Sequence, residues 1–473
     1  MIARPELRVL HVSRRTDGGG ADKIALSLVQ GLNRRGLLSW LAVAVRDRED
    51  PAVIAIPDLP GSRAGRVVRA VHDAMLPAVG HVPGAALVAR ALDGIESPSK
   101  VADWWRGREY FGYPGTALLP RLPPERPDLI HFHNLHGGYF DLRQLAPISN
   151  LVPAVLTLHD EWSLTGHCAY TLGCERWRTG CGACPDLTIY PAMRRDATDL
   201  NWRAKQAIFA RSHLYVSAPS RWLLDRARDS MLAEGAAGWR HIPNGVDLEV
   251  FQPGDRNAAR VQLGLPVEPT ILLFAAYKAR SSRFKDSATV WEAARRIAER
   301  LSDTQLLLIA LGEDGPTERF GNHELRFVPY ESDEQVVAKY YQAADLYLHA
   351  ARADNFPTSI VEALATGLPV VATAVGGIPE QVRSLVGAPG AWAGEASPRS
   401  RASGVLVEAG RPEAMSAAAA AVLQDDSLRA DLSRNAAMDA TERFGREIQL
   451  DATVEWYREV LADWEGRETI RSR

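Results

Sequence analysis

The sequence predicts an α/β protein built from two domains, each wound around a parallel sheet. Three observations carry that expectation. Short β-branched runs ending in glycine or polar loops alternate with helical stretches in both halves of the chain, the pattern of successive βαβ units. The 473 residues are enough for two separate cores. Between the halves, HIPNGVDLEVFQP (His241 to Pro253) breaks the alternation with prolines and an Asn-Gly turn, so the boundary is set between residues 253 and 254.

Composition narrows the function classes. A net charge of −3 leaves no global footprint for nucleic acid, which is not expected as a partner. No apolar run approaches the ~20 residues of a membrane-spanning helix. The start, MIARPELRVLHVS, reads as a first strand rather than a signal peptide, so a cytoplasmic protein is expected.

In the first half, Arg8 to Ser13 reads as a strand, followed by the glycine triplet Gly18, Gly19 and Gly20. Helical spacing of Ile24, Leu28 and Leu32 continues from there. Strand, glycine loop and helix can bring backbone N–H groups to a phosphate, although a plain tight turn fits equally well and GxGxxG is absent. Trp40 to Val45 is a second strand. Residues 47 to 125 are less legible. Gly65 to Ala91 suits amphipathic helices with Arg66, Arg69 and Arg90 outward, either a solvated basic face or a peripheral membrane contact. The aromatics Trp104, Trp105, Tyr110, Phe111 and Tyr113 either pack inside or line an acceptor cleft, and packing is the favoured expectation.

Leu129 to Phe132 is a strand with His131, His133, Asn134 and His136 at its end. The histidine spacing does not fit one helix face; in a strand His131 and His133 share a side. Val155 to His159 forms the next strand, and His159, Asp160 and Glu161 lie where open α/β sheets put their ligands. All four cysteines follow at once: Cys168, Cys174, Cys181 and Cys184, spaced x5, x6 and x2. A structural zinc, two disulfides or four reduced thiols are open readings. Four thiolates would leave no open position for catalysis, and His167 is a spare ligand. Leu214 to Ala218 is a strand, and a helix starts from Pro219-Ser220.

In the second half, Thr270 to Ala276 opens as a strand into KARSSRFKDS, a loop with four basic side chains. Strands follow at Gln305 to Ala310, Arg326 to Pro329 and Asp345 to Ala350, with a helix over 333 to 343. Next comes ADNFPTSIVEALATGLPVVATAVGGIPEQV, from Ala353 to Val382. Phe356-Pro357-Thr358 leads into a helix N-terminus, where free N–H groups and the helix dipole favour an anion. Asp354 precedes that helix and Glu362 lies about one turn inside it. A carboxylate accepts two hydroxyl bonds at once, which suits a sugar diol. Gly367 fits the helix C-terminus, and Gly376-Gly377 make a turn before Pro379. A long alanine-rich helical region over 412 to 432 and an amphipathic helix over 440 to 464 complete the chain.

The Asp354-x7-Glu362 segment closely resembles the acid-x7-acid signature of retaining, nucleotide-sugar glycosyltransferases of the GT-B fold, family 4. This chain carries Asp as the first acid where many members carry Glu. The run from His131 through the cysteine loop resembles a family 4 subgroup of bacterial surface-polysaccharide assembly, including colanic-acid-type clusters. The resemblance implies a GT-B architecture: an acceptor-side domain over 1–253, a nucleotide-sugar domain over 254–440, and a C-terminal helix over 441–473 crossing back to the first domain. It implies a nucleotide-diphosphate sugar as donor and a glycan or lipid-linked acceptor, at the inner face of the cell membrane. Catalytic roles fall to His133, facing the donor sugar, to Arg280 and Lys285, on the leaving diphosphate, and to Asp354, on the sugar hydroxyls. Donor contacts fall to Gly19, Gly20, Phe356, Pro357, Thr358, Glu362 and Val328. Asn134, His136, His159 and Asp160 are acceptor-side candidates. No cofactor is expected for catalysis, and structural zinc on the four cysteines is the one metal expected. A sugar-nucleotide epimerase of the same fold, a carboxylate-pair glycosidase and a zinc-based binding module are the alternatives.

Overall fold

The structure is a computed structural model that describes residues 7–16, 18–59, 98–301 and 303–471. The chain forms two compact units. The first comprises Met1–Ala218, Leu224–His241 and Val454–Arg473, and the second Pro219–Leu223 and Ile242–Thr453. The boundary inferred from the sequence, after Pro253, falls inside the second unit.

In the first unit seven strands form one sheet: β1 (Arg8–Arg15), β2 (Leu38–Val45), β3 (Val53–Ala55), β4 (Leu129–Phe132), β5 (Ala154–Thr157), β6 (Leu214–Ala218) and β7 (Ala236–His241). Their order is β3-β2-β1-β4-β5-β6-β7 and every pairing is parallel. Strands covered on both faces are buried without alternation, as β1, β2 and β6 are along most of their length. The helix Gly20–Arg34 supplies one such cover through Ile24, Leu28 and Leu32.

The second sheet contains β8 (Thr270–Ala275), β9 (Leu306–Leu311), β10 (Glu318–Phe320), β11 (His323–Val328), β12 (Leu346–His349), β13 (Val370–Thr373) and β14 (Gly404–Val407), in the order β10-β11-β9-β8-β12-β13-β14. Only the β10–β11 hairpin is antiparallel. Alternation sorts its side chains into two cores. Ile271, Leu273, Leu307 and Ile309 face one side, while Leu272, Phe274, Leu306 and Leu308 face the other. Each such buried side chain contributes ~1.5–3 kcal/mol relative to exposure.

Both sheets are wound outward from a central strand, β1 or β8, first to one side and then to the other. The chain reverses between β1 and β4 in the first unit and between β8 and β12 in the second. Ligands of open α/β sheets bind beyond the carboxyl ends of the strands at this switch point.

Several expectations need correction. Trp104 and Trp105 do not pack inside: they lie on the helix Pro98–Arg106 with 53% and 44% of their surface exposed, and Arg194 stacks over Trp105 at 3.5 Å. Both rings lie instead against the Arg194 guanidinium, a cation stacked on them at the surface. The alanine-rich region is two helices, Pro412–Gln424 and Asp426–Arg443, because Asp425 caps the second through the Leu428 N–H. The last helix, Arg446–Arg471, starts only after buried Phe444. Its residues from Val454 onward belong to the first unit, where the Tyr457 hydroxyl meets His131 at 2.6 Å. The amphipathic helices read over Gly65 to Ala91 lie outside the described residues.

Candidate functional site

The second unit gathers charged groups at its switch point. The loop after β8 runs to Lys285, which bridges Ala351 just past β12. The Asp286 N–H donates to the Ala350 carbonyl at 3.0 Å and the Arg352 N–H to the Phe284 carbonyl at 2.7 Å, so the two loops are zipped together. This brings the Lys285 ammonium into a short ion pair with Asp354, itself 9% exposed. Asp286 takes the N-cap of the helix Ser287–Arg300, accepting from the Thr289 hydroxyl at 2.8 Å. That cap explains an acidic residue directly after the lysine.

Asp354 is held from behind by glycine. A Cβ at Gly376 would lie 1.8 Å from the Asp354 carbonyl oxygen, and one at Gly377 would lie 2.1 Å from that of Asn355. Gly376 also has φ +56°, in the left-handed region. Asn355 is buried and bonded to Ser220, and the Gln381 amide donates to the Pro357 carbonyl at 3.0 Å. The helix Thr358–Ala365 therefore begins from a fixed point. Pro357 at its cap offers no side-chain acceptor and the first turn has no acid. Its leading N–H groups have no partner within the helix, so this end suits an anion. Phe356 is buried against Phe444 and supports the turn from below.

One turn on, Glu362 accepts a 2.8 Å hydrogen bond from the Tyr341 hydroxyl. Tyr341 lies in the core, and burial first, then the Glu362 charge, pushes its phenol well above the usual range. It stays a donor and fixes the carboxylate. Beside Asp354, His349 is fully buried with Nε2 lacking a hydrogen-bond partner, 3.9 Å from the carboxylate. Burial, followed by Lys285, keeps this ring neutral. Tyr341 and His349 escaped the sequence reading because no local motif marks a residue that acts from a neighbouring helix or strand.

Arg280 is placed differently from Lys285. Its guanidinium pairs with Glu318 at 3.2 Å and stacks on Phe327 at 3.9 Å, while its N–H meets Glu313. The Val328 carbonyl accepts the N–H groups of Gly312 and Glu313 at 2.9 and 3.1 Å. Beyond it, Tyr330 and Tyr277, both about half exposed, meet edge to face at 5.3 Å between centroids. Such a pair can stack a planar ring.

The first unit floors its switch point with neutral imidazoles, with Asp160 paired to His136 nearer the surface. Gly19 caps the helix Gly20–Arg34 in an extended conformation, and among the described residues a Cβ built on Gly19 or Gly20 meets nothing within 4 Å beyond its own chain neighbours and helix backbone. Asp22 fixes this loop by accepting from the Ser13 hydroxyl at 2.6 Å. His133 is fully buried, one ring nitrogen 3.2 Å from His11 and the other 3.0 Å from His159. His131 spends both nitrogens on the Tyr457 and Thr157 hydroxyls. Nitrogens of His11, His131 and His133 lie within 4.8 Å of one another. Burial pushes all three rings down, His11 to about 3, so the cluster is neutral near pH 7. Its hydrogen bonds already engage most of the donors that a metal would need.

Nearer the surface, His136 meets Asp160 at 2.7 Å, and the Trp162 N–H donates to the other Asp160 oxygen at 2.9 Å. Burial alone would raise Asp160; the His136 interactions and the Trp162 N–H outweigh it and hold the carboxyl below its ordinary range. Tyr190 stands 3.5 Å from the other nitrogen of His136. The Asn134 carbonyl accepts from Tyr139 at 2.7 Å. The site residues read from the sequence thus fall into two groups. Lys285, Asp354, Phe356, Pro357, Thr358 and Glu362 come together in the second unit, while His133, His136, His159 and Asp160 come together in the first.

Known proteins share this construction. The family described as "Glycosyltransferase Family 4" matches residues 18–250, and "Glycosyl transferases group 1" matches residues 255–439. WcaC of Escherichia coli K12, named as a colanic acid biosynthesis glycosyl transferase, is 30% identical over 269 residues, 52% of this chain and 60% of WcaC. A D-inositol 3-phosphate glycosyltransferase of Catenulispora acidiphila is 32% identical over 283 residues, 56% of this chain and 63% of its own length. The chain thus spans somewhat under two thirds of these relatives. Among solved structures, Anabaena Alr3699/HepE in complex with UDP superposes with a TM-score of 0.57 at 16% identity, covering 96% of this chain and 100% of that one. With both sheets, their winding order and both family matches in agreement, the chain belongs to the family 4 glycosyltransferases of the GT-B fold.

Proposed function

We propose that this protein is a retaining glycosyltransferase that moves a sugar from a nucleotide-diphosphate donor to a glycan or lipid-linked acceptor in bacterial surface-polysaccharide assembly. The observation that carries the donor half is the second unit's cluster: Lys285 against Asp354, an uncapped helix N-terminus at Thr358, and Glu362 fixed by Tyr341. A diphosphate sugar needs a fixed cation and oriented N–H groups for the charge that grows on the leaving phosphate. Lys285 and the first turn of the helix Thr358–Ala365 supply them. Glu362 takes the ribose hydroxyls and Asp354 the sugar hydroxyls. The exposed pair Tyr277 and Tyr330, beside Val328, takes the base. Lys285 carries the larger share, and Arg280, whose Glu318 contact engages one of its nitrogens, is the second cation for the diphosphate.

The first unit takes the acceptor. Its exposed glycine loop at Gly19 and Gly20 and the His136–Asp160 pair offer N–H, imidazole and carboxylate groups to a hydroxylated ligand. The donor phosphate itself accepts the acceptor's proton, which lets transfer proceed on one face of the sugar with retention. The names of WcaC and of the inositol phosphate enzymes support a sugar-transfer role, and the UDP complex of the Anabaena protein supports a uridine nucleotide as first choice.

The test is thermal stabilisation of the full chain by UDP-, GDP- and ADP-sugars, repeated with Glu362→Ala and Lys285→Ala. One nucleotide class should raise the melting temperature of the wild type and not that of either variant. No stabilisation by any of them would overturn the donor assignment. Epimerised free nucleotide sugar formed without acceptor would replace transfer by epimerisation.

A further inference from the structure

The cysteine loop of the first unit has a geometry that the transfer reaction does not use. All four cysteines are free. Two of them each follow a pair of residues with positive φ. Leu172 (φ 47°) and Gly173 (φ 87°) precede Cys174, and Gly182 (φ 131°) and Ala183 (φ 45°) precede Cys184. Leu172 and Ala183 are two of the three non-glycine residues with positive φ among the described residues. Each such residue costs ~1–3 kcal/mol and persists where the surroundings require it. Cys168 follows no such pair. Cys181 is reached from the other side: the Gly166 N–H donates to its sulfur at 3.2 Å, and a Cβ on Gly166 would come within 2.9 Å of the Cys181 Cβ. The Cys184 sulfur accepts the Asp186 N–H, and the Cys184 N–H is anchored on Asp196 at 2.7 Å.

His167 is a fifth candidate ligand in this loop, beside the four cysteines. It is 2% exposed, and its Nδ1 lies 3.0 Å from the Pro191 carbonyl. A carbonyl only accepts, so Nδ1 carries the proton and Nε2 presents a lone pair. That lone pair points at the Cys184 sulfur from 3.4 Å. Were Cys184 a thiolate ligand with His167 merely beside it, two lone pairs would face each other with nothing between. Two donors on adjacent corners of a zinc tetrahedron, with Zn–S of ~2.3 Å and Zn–N of ~2.0–2.1 Å, stand about 3.5 Å apart. A ligating histidine also characteristically donates its other N–H to a carbonyl, as His167 does.

We propose that the loop is a structural zinc site of the Cys3His type, with His167, Cys174, Cys181 and Cys184 as ligands and Cys168 as a buried bystander. The present thiol set is more open than a filled site, since the ligand atoms found within 4.8 Å of one another in a group of three are those of His11, His131 and His133. The metal draws Cys174 and Cys181 onto the His167–Cys184 edge. As it binds, three thiols each lose a proton to solvent and no electron is transferred. The assignment is independent of the donor reading.

The experiment is elemental analysis of the full chain after reconstitution with zinc and exhaustive dialysis, with cobalt(II) as a spectroscopic substitute. About one zinc per chain is expected in the wild type and in Cys168→Ser. Bound zinc should fall at least tenfold in His167→Leu, Cys174→Ser, Cys181→Ser and Cys184→Ser. His167→Cys should bind zinc again, with cobalt spectra shifting from a three-sulfur to a four-sulfur pattern. That rescue, with far-UV circular dichroism on every variant, separates a lost ligand from a lost fold. Zinc kept by His167→Leu and lost by Cys168→Ser would overturn the ligand set. A wild type that binds no zinc while four thiols remain titratable would overturn the site.

Discussion

The two units both wind their sheets outward from a central strand, with an extra β10–β11 hairpin at the edge of the second, yet they equip their switch points in opposite ways. In the second unit the strand ends deliver full charges: Lys285 on Asp354, with Glu362 held by a phenol from the core. In the first unit the strand ends deliver imidazoles that bond to one another and stay neutral, His11 to His133 to His159. One backbone plan therefore serves two chemistries. A preorganised charge cluster suits a diphosphate, whose charge changes during reaction. A neutral hydrogen-bonding floor suits a ligand recognised by its hydroxyls.

That contrast can be broken most directly at Lys285. Lys285→Ala should lower turnover of the stabilising nucleotide sugar by ~10²–10³, the loss typical of one fixed group facing developing charge. Nucleotide release assays would report it, and a loss below tenfold would move the charge-bearing role to another cation of the same loop. Next, Gly376→Ala places a Cβ onto the Asp354 carbonyl at a positive φ. It should destabilise the fold by ~3 kcal/mol or more, read as a lower urea midpoint. An unchanged midpoint would mean that the glycine turn does not fix Asp354. Glu362→Gln should weaken nucleotide binding by ~1.5–3 kcal/mol, and Tyr341→Phe by ~1 kcal/mol, in calorimetric titrations. If Tyr341→Phe costs more than Glu362→Gln, the phenol is more than a support.

The last effect is graded with pH and concerns the first unit. Its buried histidines have folded pKa values below the unfolded value of 6.5, with His11 at about 3. The unfolded chain then binds more protons below pH 6.5, so stability is full above that pH and falls as pH drops toward the folded values. Each ring contributes a slope of ~1.4 kcal/mol per pH unit in this window. Urea unfolding between pH 7 and pH 5 should show it, with His11→Asn removing one ring's share. A flat profile would show that the rings are not buried neutral.

Much of the donor site was legible because it lies in one continuous segment. Asp354, Thr358 and Glu362 sit within a few residues of a helix start, and Gly376-Gly377 announce a tight turn, so pattern alone located them. Lys285 was legible as one of several cations in a basic loop. What could not be read were contacts made across the sheet. Tyr341 looks like any core aromatic of a helix, and nothing near Arg280 signals that Glu318, on the β10–β11 hairpin, will take its guanidinium. The burial of His133 was likewise hidden, since its partners His11 and His159 come from strands far apart in sequence. The aromatic pair Trp104-Trp105 misleads because residue type alone does not tell a buried ring from one that stacks on a surface arginine. The cysteine loop was legible as a cluster, but the part played by His167 depends on a carbonyl at Pro191 that spacing cannot reveal.

The shared winding has one further consequence, for the order in which the halves assemble. To complete its centre, the first sheet must bring β4 back beside β1 after the stretch 56–128, whereas the second returns β12 beside β8 after only 329–345. Closing a connection roughly four times longer costs ~1 kcal/mol more chain entropy before any contact repays it. On refolding, the amides of β8 and β12 should therefore gain protection from hydrogen exchange before those of β1 and β4, so that the half synthesised last is the half that nucleates first.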